Sequence, residues 1–461
     1  MTRKIAKRIG MAAGALIVLA QMAGPSAAQV PQSQIDRLGQ DLTPLGAEKA
    51  GNGEGSIPAW TGGLSEPPAG LGFVAGEHYK DPFKSDPVLF TVTGVNAAQY
   101  DAALTPGQKA MLAQYPNYKL NVYQSRRTCA NSEASYLQAK KNAQVGALAQ
   151  GGNGVSGSVL TTPFPIPNNA LEIAWNHLLR NRAFKIVAQS VNVAPTADGS
   201  YTPIVVQTDT IINYSNPAVT RTEELDNISV YILFNTIAPA RSAGNVLLVH
   251  ETLNQAKGAR KAWQYSPGTR RVRRAPNIAY DNPGTNSDGL STSDSFDMYN
   301  GAPDRYDWTV VGKSERFAVN NAYRMAEADV GYQDVVQPGH INQDLVRYER
   351  QRVWQIRASL RPQTRHIYQR RDLYLNEDSW SIVAGDLYDA RGELWRVQES
   401  WSTVAYDVPV CENTGGVVYD LAVGRYLAGG LRSQEAAINY DAAELQLERY
   451  TPAEIRRIGV R

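Results

Sequence analysis

The segment 352–401, RVWQIRASLRPQTRHIYQRRDLYLNEDSWSIVAGDLYDARGELWRVQESW, decides the fold. Its first nine residues put Trp354, Ile356, Ala358 and Leu360 on one side of an extended chain. Gln355, Arg357 and Ser359 fall on the other. Successive side chains of a strand point to opposite faces, so this alternation predicts a strand with one apolar face. RPQT (361–364) turns the chain and RHIYQRRDLYL returns it. NEDS (376–379) turns again into WSIVAGDLYD, and DARG (389–392) turns into ELWRVQESW. Strand-length runs joined by short polar turns predict an antiparallel meander.

The same texture starts near residue 184. FKIVAQSVNVA, TPIVVQTDTIINY, NISVYILFNT and GNVLLVHETLN are β-branched runs of strand length bounded by turn residues. KAWQY (261–265) is a further short strand, followed by Ser266-Pro267-Gly268-Thr269 and RRVRR. Four arginines stand at 270, 271, 273 and 274, and no acid lies between Glu251 and Asp281. Either this is an anion site or it is the return strand of a hairpin. Pro followed by Gly suits a type II turn, with Gly268 taking the positive φ. Pairing Tyr265 with Arg270 then sets Trp263 opposite Val272 and divides the arginines between two faces. The hairpin is the structural reading. Contact of Arg271 and Arg273 with an anionic headgroup or a partner is the functional one.

The first part of the chain is different. Residues 29–95 are rich in Gly and Pro, which predicts a loop-rich, extended arm. Helical pieces follow. TPGQKAMLAQYP has Thr105 as N-cap and Pro106 at the first helical position. NSEASYLQAKKNAQVGALAQ is a second piece, ending at Gly151-Gly152. NALEIAWNHLLRNRAF is a third, with Leu171, Ala174, Trp175 and Leu178 at helical spacing. At the far end, Thr451-Pro452-Ala453-Glu454 fits a capping box.

The N-terminus states where the protein goes. Arg3, Lys4, Lys7 and Arg8 precede an apolar stretch from Ile9 to about Ala23, and Pro25-Ser26-Ala27-Ala28 follows. This is the pattern of a secretory signal peptide, residues 1–28, cleaved after Ala28. No later run approaches the roughly 20 apolar residues of a membrane span. The expected location is the periplasm. The chain has 46 Lys and Arg against 44 Asp and Glu; taking away the four basic residues of the signal leaves 42 against 44. A near-neutral exported chain does not carry the domain-wide basic excess of a nucleic-acid binder. Two cysteines, Cys129 and Cys411, suit one disulfide in an oxidising compartment, with two buried thiols as the alternative.

Catalytic signatures are weak. Gly152-Asn153-Gly154-Val155-Ser156-Gly157 matches G-x-G-x-x-G but runs into TTPFPIP, where no helix starts, so it is not a dinucleotide loop. There is no G-x-S-x-G nucleophile elbow. The five histidines are scattered, and none stands at a zinc-ligand spacing from another. His340 with Asp344 and Glu349 is the best polar cluster. No cofactor or metal motif is present. Trp263, Tyr265, Trp354, Tyr368, Trp380 and Trp395 lie in strand-like segments, where they either line an apolar ligand cavity or pack as core.

AWQYSPGTRRVRR, LYLNEDSWSI and DLYDARGELWRV resemble the hairpins of the LolA/LolB superfamily. LTPLGAEKAGNGEGSIPAWTGG, PFPIPNNALEIAWNHLLR, RRAPNIAYD, SFDMYNGAPDRYDW and HINQDLVRYERQRVW resemble one exported Gram-negative family of unknown function, related to outer-membrane lipoprotein-sorting proteins. The resemblance implies an α+β fold: a LolA-like curved, half-open antiparallel β-barrel covered by helices, with a loop-rich N-terminal arm. It implies residues 29–183 as arm and helices and 184–461 as the LolA-like β domain with C-terminal helices, forming one unit. This chain is about twice the length of LolA, and its arm and N-terminal helices have no LolA counterpart. The implied function is a non-enzymatic carrier or chaperone that holds a lipid, acyl chain or lipoprotein in an apolar concavity. Its implied partners are an RND-type transporter and an outer-membrane protein. The alternatives are an adaptor for such a transporter that carries nothing, and a lipid-acting enzyme.

Overall fold

The computed structural model describes residues 30–460 apart from 276, 277 and 279. The signal peptide expected at 1–28, with its cleavage after Ala28, lies outside the described residues. Among the described residues no helix is long and apolar enough to cross a membrane.

A four-residue helix, α1 (Gln32–Ile35), opens the chain, and residues 36–89 form no further regular helix or strand. Then come β1 (Phe90–Thr93), α2 (Pro106–Gln114), β2 (Lys119–Tyr123) and α3 (Glu133–Val145). A small hairpin, β3 (Ala147–Leu148) and β4 (Val155–Ser156), leads to α4 (Ala170–Leu179). Six strands follow: β5 (Lys185–Val193), β6 (Ile204–Ile211), β7 (Ile228–Ala238), β8 (Val246–Thr252), β9 (Lys261–Ser266) and β10 (Arg271–Arg274). After a long loop come β11 (Tyr306–Val319) and the four-residue α5 (Tyr332–Val335). The last strands are β12 (Tyr348–Leu360), β13 (Arg370–Asn376), β14 (Ile382–Tyr388), β15 (Leu394–Ala405), β16 (Val410–Asp420) and β17 (Arg425–Leu431). Helix α6 (Pro452–Gly459) ends the chain.

Fifteen strands make one sheet, in the order β1-β2-β12-β13-β14-β15-β16-β17-β5-β6-β7-β8-β9-β10, with β11 on the other edge of β12. Every junction is antiparallel except β2 with β12, where Val122 and Tyr123 run alongside Tyr348 and Glu349. The order ends at β10 without returning, so the expected half-open barrel is an open sheet. That sheet curls. β11 lies against β14 and β15, three and four strands along. In a flat sheet three strands span about 14 Å, too far for contact.

Both faces of the curled half are covered. On the inner face Val397, Trp401, Val417 and Tyr419 pack against Leu104, Met111 and Leu112 of α2 and the turn before it. On the outer face Ile356, Leu373, Leu375, Trp380 and Ile382 pack against Ala139 of α3, Ala170, Ile173 and Ala174 of α4, and Leu45. Residues 36–89 also close the end of the sheet, where Leu64, Leu71, Phe73, Tyr79 and Phe83 pack on Tyr323, Val404 and Tyr406. The other half, β5 to β10, is covered by α6. Thr451 caps that helix by accepting from Glu454 N–H at 3.3 Å. Ile455 is fully buried in the cluster that holds Leu233, Leu248 and Tyr265. Burying one such side chain stabilises by about 1.5–3 kcal/mol, enough to dock an eight-residue helix that would not persist alone.

Two local readings change. Helix α3 stops at Gly146 rather than Gly151-Gly152, because Ala147-Leu148 pairs with Val155-Ser156. The glycine-rich 152–157 stretch belongs to that small hairpin. In the β9–β10 hairpin Tyr265 pairs with Val272 and Trp263 with Arg274, two residues from the expected register. The positive φ falls on Arg270 (φ 52) and not on Gly268. A slip of two preserves the faces, so Val272 still joins Tyr265 over α6 while Arg271 and Arg273 point the other way.

Cys129 and Cys411 form a disulfide with Cα atoms 5.5 Å apart, closing a loop of 282 residues. It ties the segment before α3 to β16. The double variant Cys129→Ser, Cys411→Ser is expected to unfold about 3–5 kcal/mol more easily in urea. An unchanged urea midpoint would contradict that role.

Candidate ligand-binding face

The concave face of the sheet is the candidate site, and α2 is its cover. The sequence makes α2 locally. Thr105 Oγ1 accepts from Gln108 N–H at 3.1 Å, Gln108 Oε1 accepts from Thr105 N–H at 3.1 Å, and Pro106 occupies the first helical position. Pro116 follows shortly after the last helical residue. The nine-residue helix then sits by specific contacts. Gly107 N–H donates to Asp386 Oδ1 at 2.9 Å on β14. Gln108 Nε2 donates to Phe317 O on β11 at 2.9 Å and to Glu399 Oε1 on β15 at 3.0 Å. Arg316 Nη1 donates to the carbonyls of Ala102 and Leu104 at 2.7 and 3.1 Å. Gly107 has no room for a side chain: a Cβ there would stand 2.3 Å from Asp386 Oδ1 and 2.6 Å from Val397.

Beneath α2 the face is mixed rather than uniformly apolar. Glu399 is buried, and its Oε2 accepts from Tyr348 OH at 2.9 Å and Tyr118 OH at 3.2 Å. Burial pushes its carboxyl above the usual range, against the hydrogen bonds from Gln108, Tyr348 and Tyr118. Asp386 is fully buried and accepts from Tyr374 OH at 3.1 Å. Burial pushes its carboxyl up to about 7, while Tyr374 and the Gly107 N–H pull the other way. His340 is buried edge-on to Tyr118, with ring centroids 5.3 Å apart. Its Nδ1 lies 2.7 Å from Ile341 O, and its Nε2 has no partner. Burial pushes the imidazole below its ordinary value.

The polar cluster expected at His340, Asp344 and Glu349 does not converge. Exposed Asp344 pairs with half-buried Lys119 at 2.6 Å. Glu349 accepts from Arg347 at 2.6 Å and from Asn320 and Asn321 at 2.9 Å. A separate cavity of about 30 Å³ lies beside the disulfide, lined by Cys129, Cys411, Gln351, Glu377 and Glu412 among others. Gln351 Nε2, Glu377 Oε2 and Glu412 Oε2 have no partner there. That volume holds about two waters, far short of an acyl chain. Burial pushes Glu412 up to about 7, with Arg180 and Arg182 opposing.

The six aromatic residues singled out in the sequence fall into three places. Trp354 and Trp380 stack at 6.4 Å on the outer face, where Trp380 Nε1–H donates to Leu45 O at 2.9 Å. Tyr368 and Trp395 lie 5.7 Å apart, and Trp395 Nε1–H donates to Asp420 at 3.0 Å. Trp263 and Tyr265 pack under α6. They do not converge on one surface. Arg271 and Arg273 are exposed on β10.

Sequence reasoning passed over Arg371. It is fully buried, 2.5 Å from Asp294 Oδ2, with its guanidinium 5.0 to 5.5 Å from the rings of Tyr368, Tyr299 and Tyr306. The signal was present: Arg371 shares its strand face with Leu373 and Leu375.

The site is thus a curled antiparallel sheet with a helix seated across its concave face. The chain belongs to the family described as Protein of unknown function (DUF1329), whose pattern matches residues 91–456. It is 45% identical over 467 residues to the Uncharacterized protein PA3922 of Pseudomonas aeruginosa, covering all of both chains. Among solved structures it is similar to a putative outer membrane lipoprotein-sorting protein domain from Vibrio parahaemolyticus. That likeness has a TM-score of 0.43 and 13% identity over 62% of this chain and 98% of that one. A DUF1329 family protein from Desulfovibrio piger gives a TM-score of 0.42 and 12% identity over 62% of this chain and 95% of that one.

Asp386 makes stability depend on pH. An ordinary unfolded aspartate ionises near pH 3.9, so between about pH 4 and 7 the native state holds a proton that the unfolded state has lost. Stability therefore falls as pH rises through this window, by about 4 kcal/mol at most from this group. Asp386→Asn is expected to flatten the fall of Tm between pH 4.5 and 8 measured by calorimetry. A variant profile parallel to the wild type would contradict it.

Proposed function

We propose that this is a periplasmic, non-enzymatic carrier or chaperone for a hydrophobic ligand. The ligand is a lipid, an acyl chain or the lipid-bearing end of a lipoprotein, and it occupies the concave face once α2 lifts. The observation that carries this reading is the cover itself. A largely apolar stretch of sheet, Val397, Trp401, Val417 and Tyr419, is covered by a nine-residue helix with its flanking turn and by the 322–346 segment instead of a second sheet. Exchanging Leu104, Met111 and Leu112 for an acyl chain keeps apolar area out of water, at about 25 cal/mol per Å², so opening toward a ligand costs little beyond the polar clamps. The basic-then-apolar N-terminus and the disulfide support export to an oxidising compartment. Residues 29–183 and 184–461 act as one unit in this reading, because the first part supplies the cover for the second. An RND-type transporter and an outer-membrane protein are the proposed donor and acceptor.

One observation favours an adaptor instead. The concave face is filled by the chain's own α2, and Val310 and Val311 are 41% and 49% exposed on the edge strand β11. Native mass spectrometry of protein from its own periplasm, followed by organic extraction, separates the two. The carrier reading expects about one hydrophobic molecule per chain. Empty protein that also fails to bind fatty acids, phospholipids and sterols would overturn it in favour of the adaptor.

A further inference from the structure

Seven arginines among the described residues have no ion pair, side-chain hydrogen bond or ring contact. One is Arg365, in the turn before β13. The other six, Arg241, Arg270, Arg271, Arg273, Arg274 and Arg456, gather at one corner. Three backbone segments meet there: Gly244 in the β7–β8 turn lies against Pro267 of the β9–β10 turn and Gly459 of α6. Each of Arg241, Arg270 and Arg456 is three residues from that meeting point, and β10 carries the remaining three along the free edge of the sheet. Elsewhere the arginines are mostly matched to acids, as Arg357 is to Asp372 and Arg425 to Asp288. Within α6 the acid Glu454 is engaged by Arg457.

We infer that this corner is where the protein meets the anionic phospholipid headgroups of a membrane surface. Six unpaired guanidinium groups offer phosphate the planar, multiple N–H donors that it accepts best. The arginines stand on both faces of the β9–β10 hairpin and on two neighbouring segments. That spread suits a surface of many mobile phosphates better than one fixed acidic epitope. A protein–protein interface is anchored by exposed aromatic residues. Here Tyr265 is buried and Trp263 half-buried under α6. Val460, 68% exposed beside Gly459, adds an apolar contact of the kind that enters a headgroup layer. Charged residues also keep a free sheet edge from pairing with another sheet. That need does not account for Arg241 and Arg456, which lie off the edge. The inference deepens the carrier reading by naming the surface that a carrier of lipid would approach.

The test is co-sedimentation of cargo-free, full-length mature protein with vesicles at low salt. Equimolar phosphatidylglycerol and phosphatidylcholine is compared with phosphatidylcholine alone. The protein is expected to bind the anionic vesicles, to ignore the neutral ones, and to come off as salt is raised. Arg271→Gln, Arg273→Gln, Arg274→Gln together should weaken binding about a hundredfold, at about fivefold per arginine. The corresponding lysine variant should bind the anionic vesicles as the wild type does. Arg365→Gln should leave binding unchanged. All six arginines are solvent-exposed without partners, so an unchanged Tm is expected in each variant. Equal binding to both vesicles, no binding to either, or equal loss in Arg365→Gln would overturn the inference. So would retention by an acidic peptide without vesicle binding. Headgroup binding by a protein that never takes up cargo would leave this inference standing and remove the carrier.

Discussion

The side chain of Gln108 fastens α2 to two separate strands of the sheet. Its amide oxygen accepts from Thr105 N–H and so closes the first turn of α2. Its amide nitrogen donates to Phe317 O on β11 and to Glu399 on β15. Those strands lie on opposite sides of the curl. One residue therefore caps a helix, seats it on the concave face and ties two distant parts of the sheet. Each hydrogen bond contributes only about 0.5–1.5 kcal/mol net, but leaving Glu399 buried without its donors costs considerably more. The clamp is strong because its absence is expensive.

The remaining architecture follows from how the two faces are filled. The outer face is closed by packing: α3, α4 and Leu45 press on Ile356, Leu373, Leu375 and Trp380. The inner face is closed by apolar contacts interrupted by carboxyls, Glu399 and Asp386, which stay buried because tyrosines and α2 satisfy them. A cover held by a few directional bonds over apolar surface differs from a fused core. The hydrogen bonds from Gly107 and Gln108 fix where it sits. The disulfide fixes the segment after β2 to β16 and so ties the layer that begins at α3 to the sheet independently of α2.

Much of the fold was legible because local chemistry and tertiary structure agree. Residues 352–360 alternate cleanly, short polar turns space the rest of the meander to 401, and Thr105-Pro106 and Thr451-Pro452 announce α2 and α6. The long strand β11 escaped notice because YDWTVVGKSERFAV mixes charge and apolar residues, as an edge strand with a bulge at Val310/Gly312 does. The joining of β1 and β2 to β12 is a contact between residues more than two hundred positions apart, which no local pattern carries. The interior charges were hidden for another reason. When both faces of a strand are buried, alternation no longer separates solvent from core. Asp386 and Glu399 then look like surface residues, and Arg371 betrays itself only by sharing a face with leucines. The aromatic residues were poor guides to a site because strands use Trp and Tyr wherever two layers meet.

In the proposed carrier, α2 is a cover that lifts. Hydrogen exchange across residues 104–115, with and without a long-chain fatty acid or phospholipid at saturation, tests it most directly. The amides of α2 should be protected in the empty protein and exchange faster once ligand is bound, while those of β13 and β14 stay unchanged. Equal protection of α2 in both states, in a protein that demonstrably holds the ligand, would place the cargo elsewhere and rule out α2 as its cover.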